Sequence, residues 1–350
     1  RLDVHLIGDI SYGGRKKNGG MKMKMWLDLL LLVIGFVLLL KGADAFVDGS
    51  AGVARIFKVP GVIIGLTIVA MGTSAPELAV SVSAGISGSN AIAVSNVVGS
   101  NIFNLLMVLG ICAMMKALPV DSGIKKRDYP ISLVATLILL ILAGNLFFVG
   151  KVPDYRNMNA SGGVLYRWNG IILIALFVLY LAYTIYLAKK NKETENDEAK
   201  KMPMWQCLLY IILGLAAIII GGQLVVIHAK NIALAWGMSE TLVGLTIVAI
   251  GTSLPELVTS IVAASKGETG MAVGNVVGSN IFNLLLILGV SSAIHPIAIS
   301  MASFVDLCVL LAVSLIAFGF VITGKRINRA EGFTMIIMYL AYTAFSIWRG

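Results

Sequence analysis

Apolar residues run along this chain in blocks separated by short polar breaks, and a block of about 20 residues crosses roughly 30 Å of hydrocarbon as a helix. Ten spans are predicted, at 26–54, 60–86, 90–116, 129–149, 168–188, 204–234, 239–265, 269–294, 301–323 and 330–348. One break is longer than the rest. KKNKETENDEAKKMP, residues 189–203, mixes both charge signs without apolar periodicity and divides the spans five and five, so it reads as a solvated linker. Ahead of the first span, residues 1–20 are polar and Gly-rich and are set aside as a leader or upstream segment; MKMKMWLDLL then reads as a start at Met21 or Met23. The expected organisation is a leader at 1–20, a first five-helix repeat at 21–188, the linker, and a second repeat at 204–350.

The halves are copies of each other. GLTIVAMGTSAPE at 65–77 returns as GLTIVAIGTSLPE at 244–256, and VVGSNIFNLL at 97–106 returns unchanged at 276–285. The offset is constant at 179 (252 − 73 for Thr252 and Thr73, 283 − 104 for Asn283 and Asn104). Because each repeat carries an odd number of spans, the second copy enters the membrane with the opposite orientation. An all-α polytopic membrane protein of ten transmembrane helices, built as two inverted five-helix repeats, is therefore expected. That architecture is characteristic of secondary transporters, whose ion sites form near the midplane from interrupted helices.

Composition agrees: 58% of the 350 residues are hydrophobic and 13% charged, against roughly 25% charged in soluble domains, and the mean hydropathy is +0.91. The net charge of +9 raises nucleic acid as a partner, but the lysines and arginines collect in inter-helix loops. That is a topology signal, and the lipid bilayer is the partner it implies. Loops after odd-numbered spans hold Arg55, Lys58, Lys116, Lys125, Lys126, Arg127, the linker lysines, Lys266, Lys325, Arg326 and Arg329. The other side holds only Lys151, Arg156, Arg167, Lys230 and Arg349 beyond the tail. A multi-pass protein of the cell membrane is expected, with its termini extracellular and the linker cytoplasmic. Cys112, Cys207 and Cys308 lie in apolar segments without close spacing, so they read as packing residues.

Against this background Glu77 and Glu256 stand out. A charge at the bilayer centre costs at least about 2.5–3.5 kcal/mol and marks a functional site by default. On a helix Thr73 and Ser74 share a face with Glu77, as Thr252 and Ser253 do with Glu256. Pro76 and Pro255 would free the carbonyls of Gly72 and Gly251 for coordination. The following span of each repeat adds Asn96, Ser100 and Asn104, then Asn275, Ser279 and Asn283, each set spaced by four. Two carboxylates and many neutral oxygens, with no His or Cys, form a hard donor set that suits Ca²⁺ or Na⁺ better than Mg²⁺ or a transition metal. Asn96, Asn101, Asn275 and Asn280 serve equally well as hydrogen-bonding glue between helices.

The paired GTSxPE and GNVVGSNIFN motifs, with GADAFVDGSAGVA at 42–54, resemble the alpha repeats of the sodium/calcium exchanger family, within the cation/calcium exchanger superfamily. The resemblance extends over residues 26–348. It implies a central site that exchanges Na⁺ for Ca²⁺ by alternating access, with no cofactor and a monomer as the working unit. By motif position, Glu77 and Glu256 would share Ca²⁺ with Thr73 and Thr252. Ser74, Ser253, Ser100 and Ser279, with the carbonyls of Ala70 and Ala249, would complete flanking Na⁺ sites, and Asn104 and Asn283 would line the centre. It also assigns the first and sixth spans, with Asp44, Asp48 and Gln223, to a sliding gate. Many members carry Asp at the place of Asn283; Asn at both central positions speaks against potassium coupling.

Three rivals follow from the same residues. A Ca²⁺/H⁺ antiporter would use the carboxylates as proton carriers. An intramembrane hydrolase using Ser74 or Ser253 would need a base such as His228 or His295, neither of which has a counterpart in the other repeat. A passive channel would need no counter-ion.

Overall fold

The computed structural model describes residues 14–86, 90–144, 158, 161–190, 202–238, 247, 249–324 and 326–349. Most of the leader, linker positions 191–201, Lys151, Arg156 and most of 239–248 lie outside these residues. The first helix, α1 (Gly14–Phe57), reaches back into the stretch set aside as a leader. Its 44 residues extend about 66 Å at 1.5 Å each, so a polar end projects beyond the hydrocarbon.

After α1 come α2 (Gly61–Thr73) and α3 (Ala75–Ile86), which meet at a 48° bend, then α4 (Ile92–Met115). They are followed by α5 (Tyr129–Ala143), α6 (Arg167–Lys190) and α7 (Met204–Ala235). A helical piece, Ala249–Gly251, leads into α8 (Leu254–Ser265). The chain ends with α9 (Thr269–Ile294), α10 (Met301–Thr323) and α11 (Arg329–Arg349). Among the described residues seven helices are individually long and apolar enough to cross a membrane, and α2 with α3, taken as one bent span, would be an eighth. Tyr129–Ala143 and Leu254–Ser265 fall on the other two expected spans, whose remaining residues are only partly described.

Inversion is visible in the packing of α1 against α7. A side chain at Gly35 would meet the Gly221 carbonyl, and one at Gly42 the Gly214 carbonyl, so the helices run antiparallel in close contact. Gly35 and Gly214 are equivalent under the 179 offset, as are Gly42 and Gly221, so a two-fold operation exchanges the contacts. Other pairs obey the same operation. Gly110 of α4 sits on Gly332 of α11, and Gly289 of α9 on Gly170 of α6. Phe103 meets Tyr339 edge-on with ring centres 5.3 Å apart, and its equivalent Phe282 meets Phe177 at 5.6 Å.

The all-helical expectation needs one addition. Two short antiparallel strand pairs tie the repeats together: β1 (Leu118–Pro119) with β4 (Arg326–Ile327), and β2 (Ser161–Leu165) with β3 (Ile297–Ser300). They form where the chain leaves a helix in extended conformation, as it does at Lys116 and His295.

The motif-bearing helices α4 and α9 lie at the centre. Of their apolar windows 78% is buried, against 11–39% for α1, α6, α7, α10 and α11. Those outer helices expose Leu30, Val37, Leu179, Ile212 and Leu340, a face suited to lipid chains. Trp168, Trp205, Trp236 and Trp348 are exposed at helix ends, where aromatic rings anchor at the water boundary. Cys112 and Cys207 pack inside as expected, whereas Cys308 is exposed on the outer face of α10.

Candidate functional site

The chain turns at Ser74 (φ −83°, ψ 8°) and Ser253 (φ −92°, ψ 6°), and new helices start at the next residue. Pro76 and Pro255 therefore do not interrupt helices; they occupy first turns, where a missing N–H costs nothing. This differs from the expectation that the prolines act by freeing the carbonyls of Gly72 and Gly251. The turns direct Glu77 and Glu256 inward from the first turns of α3 and α8.

Both glutamates are fully buried, as are Thr73, Ser74, Asn104, Ser253, Ser279 and Asn283, with Ser100 nearly so. Among the described residues neither glutamate has an ion-pair partner. Instead the repeats hold each other's carboxylates. Ser74 Oγ donates to Glu256 Oε1 at 2.7 Å, and Ser253 Oγ donates to Glu77 Oε1 at 3.1 Å.

The threonines are held by the same crossing. The Thr73 hydroxyl lies 3.1 Å from both the Val69 carbonyl and Asn275 Oδ1, and Thr252 Oγ1 lies 3.4 Å from Asn96 Oδ1. Asn275 Nδ2 donates to Ser260 Oγ and the Glu256 carbonyl; Asn96 Nδ2 donates to Ser81 Oγ and the Glu77 carbonyl. Asn96 and Asn275 are thus the struts that carry each glutamate's helix against the other repeat's threonine. Ser81 and Ser260, absent from the sequence reading, complete them; their recurrence at the 179 offset was the available signal. The two ends are unequal, since Thr73 and Asn275 are buried whereas Thr252 and Asn96 are half-buried.

Ser279 Oγ donates to the Ala70 carbonyl at 3.4 Å, so two expected flanking ligands are in contact. Ala249 begins the piece Ala249–Gly251, and its side chain lies outside the described residues. Among the described residues four acceptor oxygens of this centre are buried without a hydrogen-bond partner: Glu77 Oε2, Glu256 Oε2, Asn104 Oδ1 and Asn283 Oδ1. Each such group costs about 1–3 kcal/mol unless something satisfies it. Carboxylate and amide oxygens are the donors that hard cations take.

Asp44 and Asp48 of α1 hold Lys266, just past α8, with Nζ–Oδ1 distances of 2.7 and 2.6 Å; Gln223 of α7 is exposed. Partial burial works against the Lys266 ammonium, but its bonds to Asp44 and Asp48 and their charges outweigh that and hold its pKa above the ordinary value. His228 is bonded to Asp28 of α1 at 2.7 Å, and His295 Nδ1 lies 3.0 Å from the Pro296 carbonyl. Ser74 and Ser253 both donate to glutamates, and among the described residues neither bonds to a histidine.

The chain is similar in sequence and fold to known exchangers. The sequence profile described as "Sodium/calcium exchanger protein" matches residues 27–186 and 207–348. The chain is 39% identical over 332 residues to the putative antiporter CaxA of Alkalimonas amylolytica, covering 91% of this chain and 98% of that one. It is 32% identical to the sodium/calcium exchanger MaX1 of Methanosarcina acetivorans, covering 90% and 97%. A solved structure of the sodium-calcium exchanger NCX_Mj soaked with Na⁺ and Sr²⁺ superposes with a TM-score of 0.77 at 31% identity, covering 91% of this chain and 98% of that one. With both repeats matched and the inverted packing shared, the chain belongs to the sodium/calcium exchanger protein family, multi-pass membrane antiporters rather than enzymes.

Proposed function

We propose that this chain exchanges Na⁺ for Ca²⁺ by alternating access at the centre formed by Glu77 and Glu256. The observation that carries the reading is the pair of buried carboxylates, each held by a serine of the other repeat and each keeping one oxygen without a partner among the described residues. Glu77, Glu256, Thr73 and Thr252 would take Ca²⁺, with the Asn104 and Asn283 oxygens beside it. Ser74, Ser253, Ser100 and Ser279, with the Ala70 and Ala249 carbonyls, would serve Na⁺. This oxygen-only set suits Ca²⁺, which takes about 6–8 oxygen ligands in flexible geometry.

Competition for the same two carboxylates explains exchange rather than leak. Their two negative charges match one Ca²⁺, and either load makes the buried centre cheap enough to re-orient. Three Na⁺ would leave one excess positive charge and make the cycle electrogenic. The moving parts would be α1 and α7, which pack on each other through glycine contacts, with α1 tied through Asp44 and Asp48 to Lys266 at the end of α8. The repeats at 21–188 and 204–350 would act as one monomeric transporter in the cell membrane, with linker 189–203 on the cytoplasmic side.

The test is Ca²⁺ flux into proteoliposomes under Na⁺, K⁺ and pH gradients imposed one at a time. Only the Na⁺ gradient should drive uptake, and an imposed potential should change its rate. Uptake driven by a pH gradient without Na⁺ would replace this reading with Ca²⁺/H⁺ exchange. Flux that needs no counter-ion would replace it with a channel.

A further inference from the structure

Asn101 and Asn280, one residue beyond Ser100 and Ser279, touch neither carboxylate, yet they are buried at the crossing of α4 and α9. Asn101 Nδ2 donates to the Asn280 carbonyl at 3.2 Å, and Asn280 Nδ2 donates to the Asn101 carbonyl at 3.3 Å. These bonds decide the orientation of both amides, because a backbone carbonyl only accepts. The NH₂ groups must face the opposing backbone, which turns Asn101 Oδ1 and Asn280 Oδ1 the other way.

A second step follows from the first. Asn283 Nδ2 lies 3.0 Å from Asn101 Oδ1, and Asn104 Nδ2 lies 3.4 Å from Asn280 Oδ1. An oxygen facing an amide selects its NH₂ end, so Asn283 and Asn104 must point their own Oδ1 atoms away. Those are two of the buried acceptors without a partner. The chain widens into π-helical turns here, over Asn104–Val108 and Phe282–Ile287, a distortion frequent at functional sites.

We propose that Asn101 and Asn280 are positioning residues: they lock the Asn104 and Asn283 amides so that the centre presents carbonyl oxygen, and no N–H, to the transported cation. Asn104 is oriented by the other repeat's Asn280, and Asn283 by Asn101, so neither repeat alone presents the correct end. An amide free to flip would place a donor against Ca²⁺ or Na⁺ part of the time and weaken both. The proposal rests on reading this centre as the cation site.

A double-mutant cycle on the full-length protein separates this role from plain packing. Asn280→Ala should weaken Ca²⁺ binding and raise the KM for Ca²⁺ by about 10–100-fold, the usual effect of removing a group that orients a metal ligand, with a smaller change in maximal rate. The double variant Asn280→Ala with Asn104→Ala should bind Ca²⁺ no worse than Asn104→Ala alone. Multiplying effects, or unchanged affinity in Asn280→Ala, would overturn the proposal. If Asn280→Ala does not accumulate, Asn101→Ala tests the same lock from the other repeat, since Asn101 Oδ1 faces Asn283 Nδ2; it should raise the KM for Ca²⁺ by a similar factor and add nothing to Asn283→Ala, and unchanged affinity or multiplying effects would overturn the proposal. Glu256→Gln is the control for the underlying reading. Loss of Ca²⁺ binding there supports the cation site whatever the asparagines do, whereas unchanged binding removes that reading and the orienting role with it.

Discussion

Glu77→Gln or Glu256→Gln should lower Na⁺-driven Ca²⁺ uptake into proteoliposomes at least about a hundredfold, as removing one member of a buried charge interaction costs several kcal/mol. Shape and the hydrogen bond are retained, because the Gln carbonyl still accepts from Ser253 or Ser74. What disappears is half the charge that balances Ca²⁺. The same substitutions should leave the melting temperature without ions unchanged or higher, since a buried carboxylate without a cation destabilises its own fold. The upward shift that Ca²⁺ gives the unaltered protein should vanish. Ordinary uptake in either variant would sink the assignment of the site.

That pair of glutamates was legible in the sequence because a charge in an apolar helix has few structural excuses, and its recurrence at a fixed offset removes most of those. The offset also made Thr73 and Thr252, or Asn104 and Asn283, readable as equivalents. It did not tell which atoms would meet. Ser74 lies three residues from Glu77 on its own chain, and helical spacing points to that local pair, yet its hydroxyl goes to Glu256, 182 positions away. Such a bond exists only once the inverted repeats dock, and no local periodicity encodes it.

Other features were hidden for local reasons. Pro76 predicts a disturbed helix but not the side of the break; the turn at Ser74 places the proline inside a new helix. The π-helical turn at Ile124–Asp128 carries Lys125, Lys126 and Arg127, and so much charge reads as loop rather than as the lead-in to α5. Asn101 is harder still. An asparagine in a membrane helix has the same sequence signature whether it binds two helices together or aims a neighbour, and only the direction of its two amide ends separates the cases.

Gly278→Ala should weaken transport clearly, although less than loss of a glutamate and although residue 278 has no side-chain oxygen to bind an ion. A Cβ at Gly278 would sit 2.7 Å from the Leu66 Cα and carbonyl oxygen and 2.8 Å from Ala70 Cβ. Two of these are backbone atoms that no rotamer change can clear, so α2 must move away from α9. The same approach is enforced at Gly274, against the Val62 carbonyl, and at Gly65, against the Met271 carbonyl. Between these contacts hang the Ser279 to Ala70 bond and the Thr73 to Asn275 bond, at 3.4 and 3.1 Å, which a shift of a few tenths of an ångström already stretches or breaks. Overpacking costs about 1–3 kcal/mol in stability, so the alanine variant should still fold with a lowered melting temperature. Its Ca²⁺ KM should rise about tenfold or more, as a ligand-bearing helix displaced from its partner loses pre-organised geometry. Gly278→Val should not accumulate. Gly319→Ala, where a Cβ meets nothing within 4 Å among the described residues, controls for replacing a helical glycine and should transport normally. If Gly278→Ala keeps the unaltered KM for Ca²⁺, the close approach of α2 to α9 is not what sets the distance between Thr73 and its partner across the repeats.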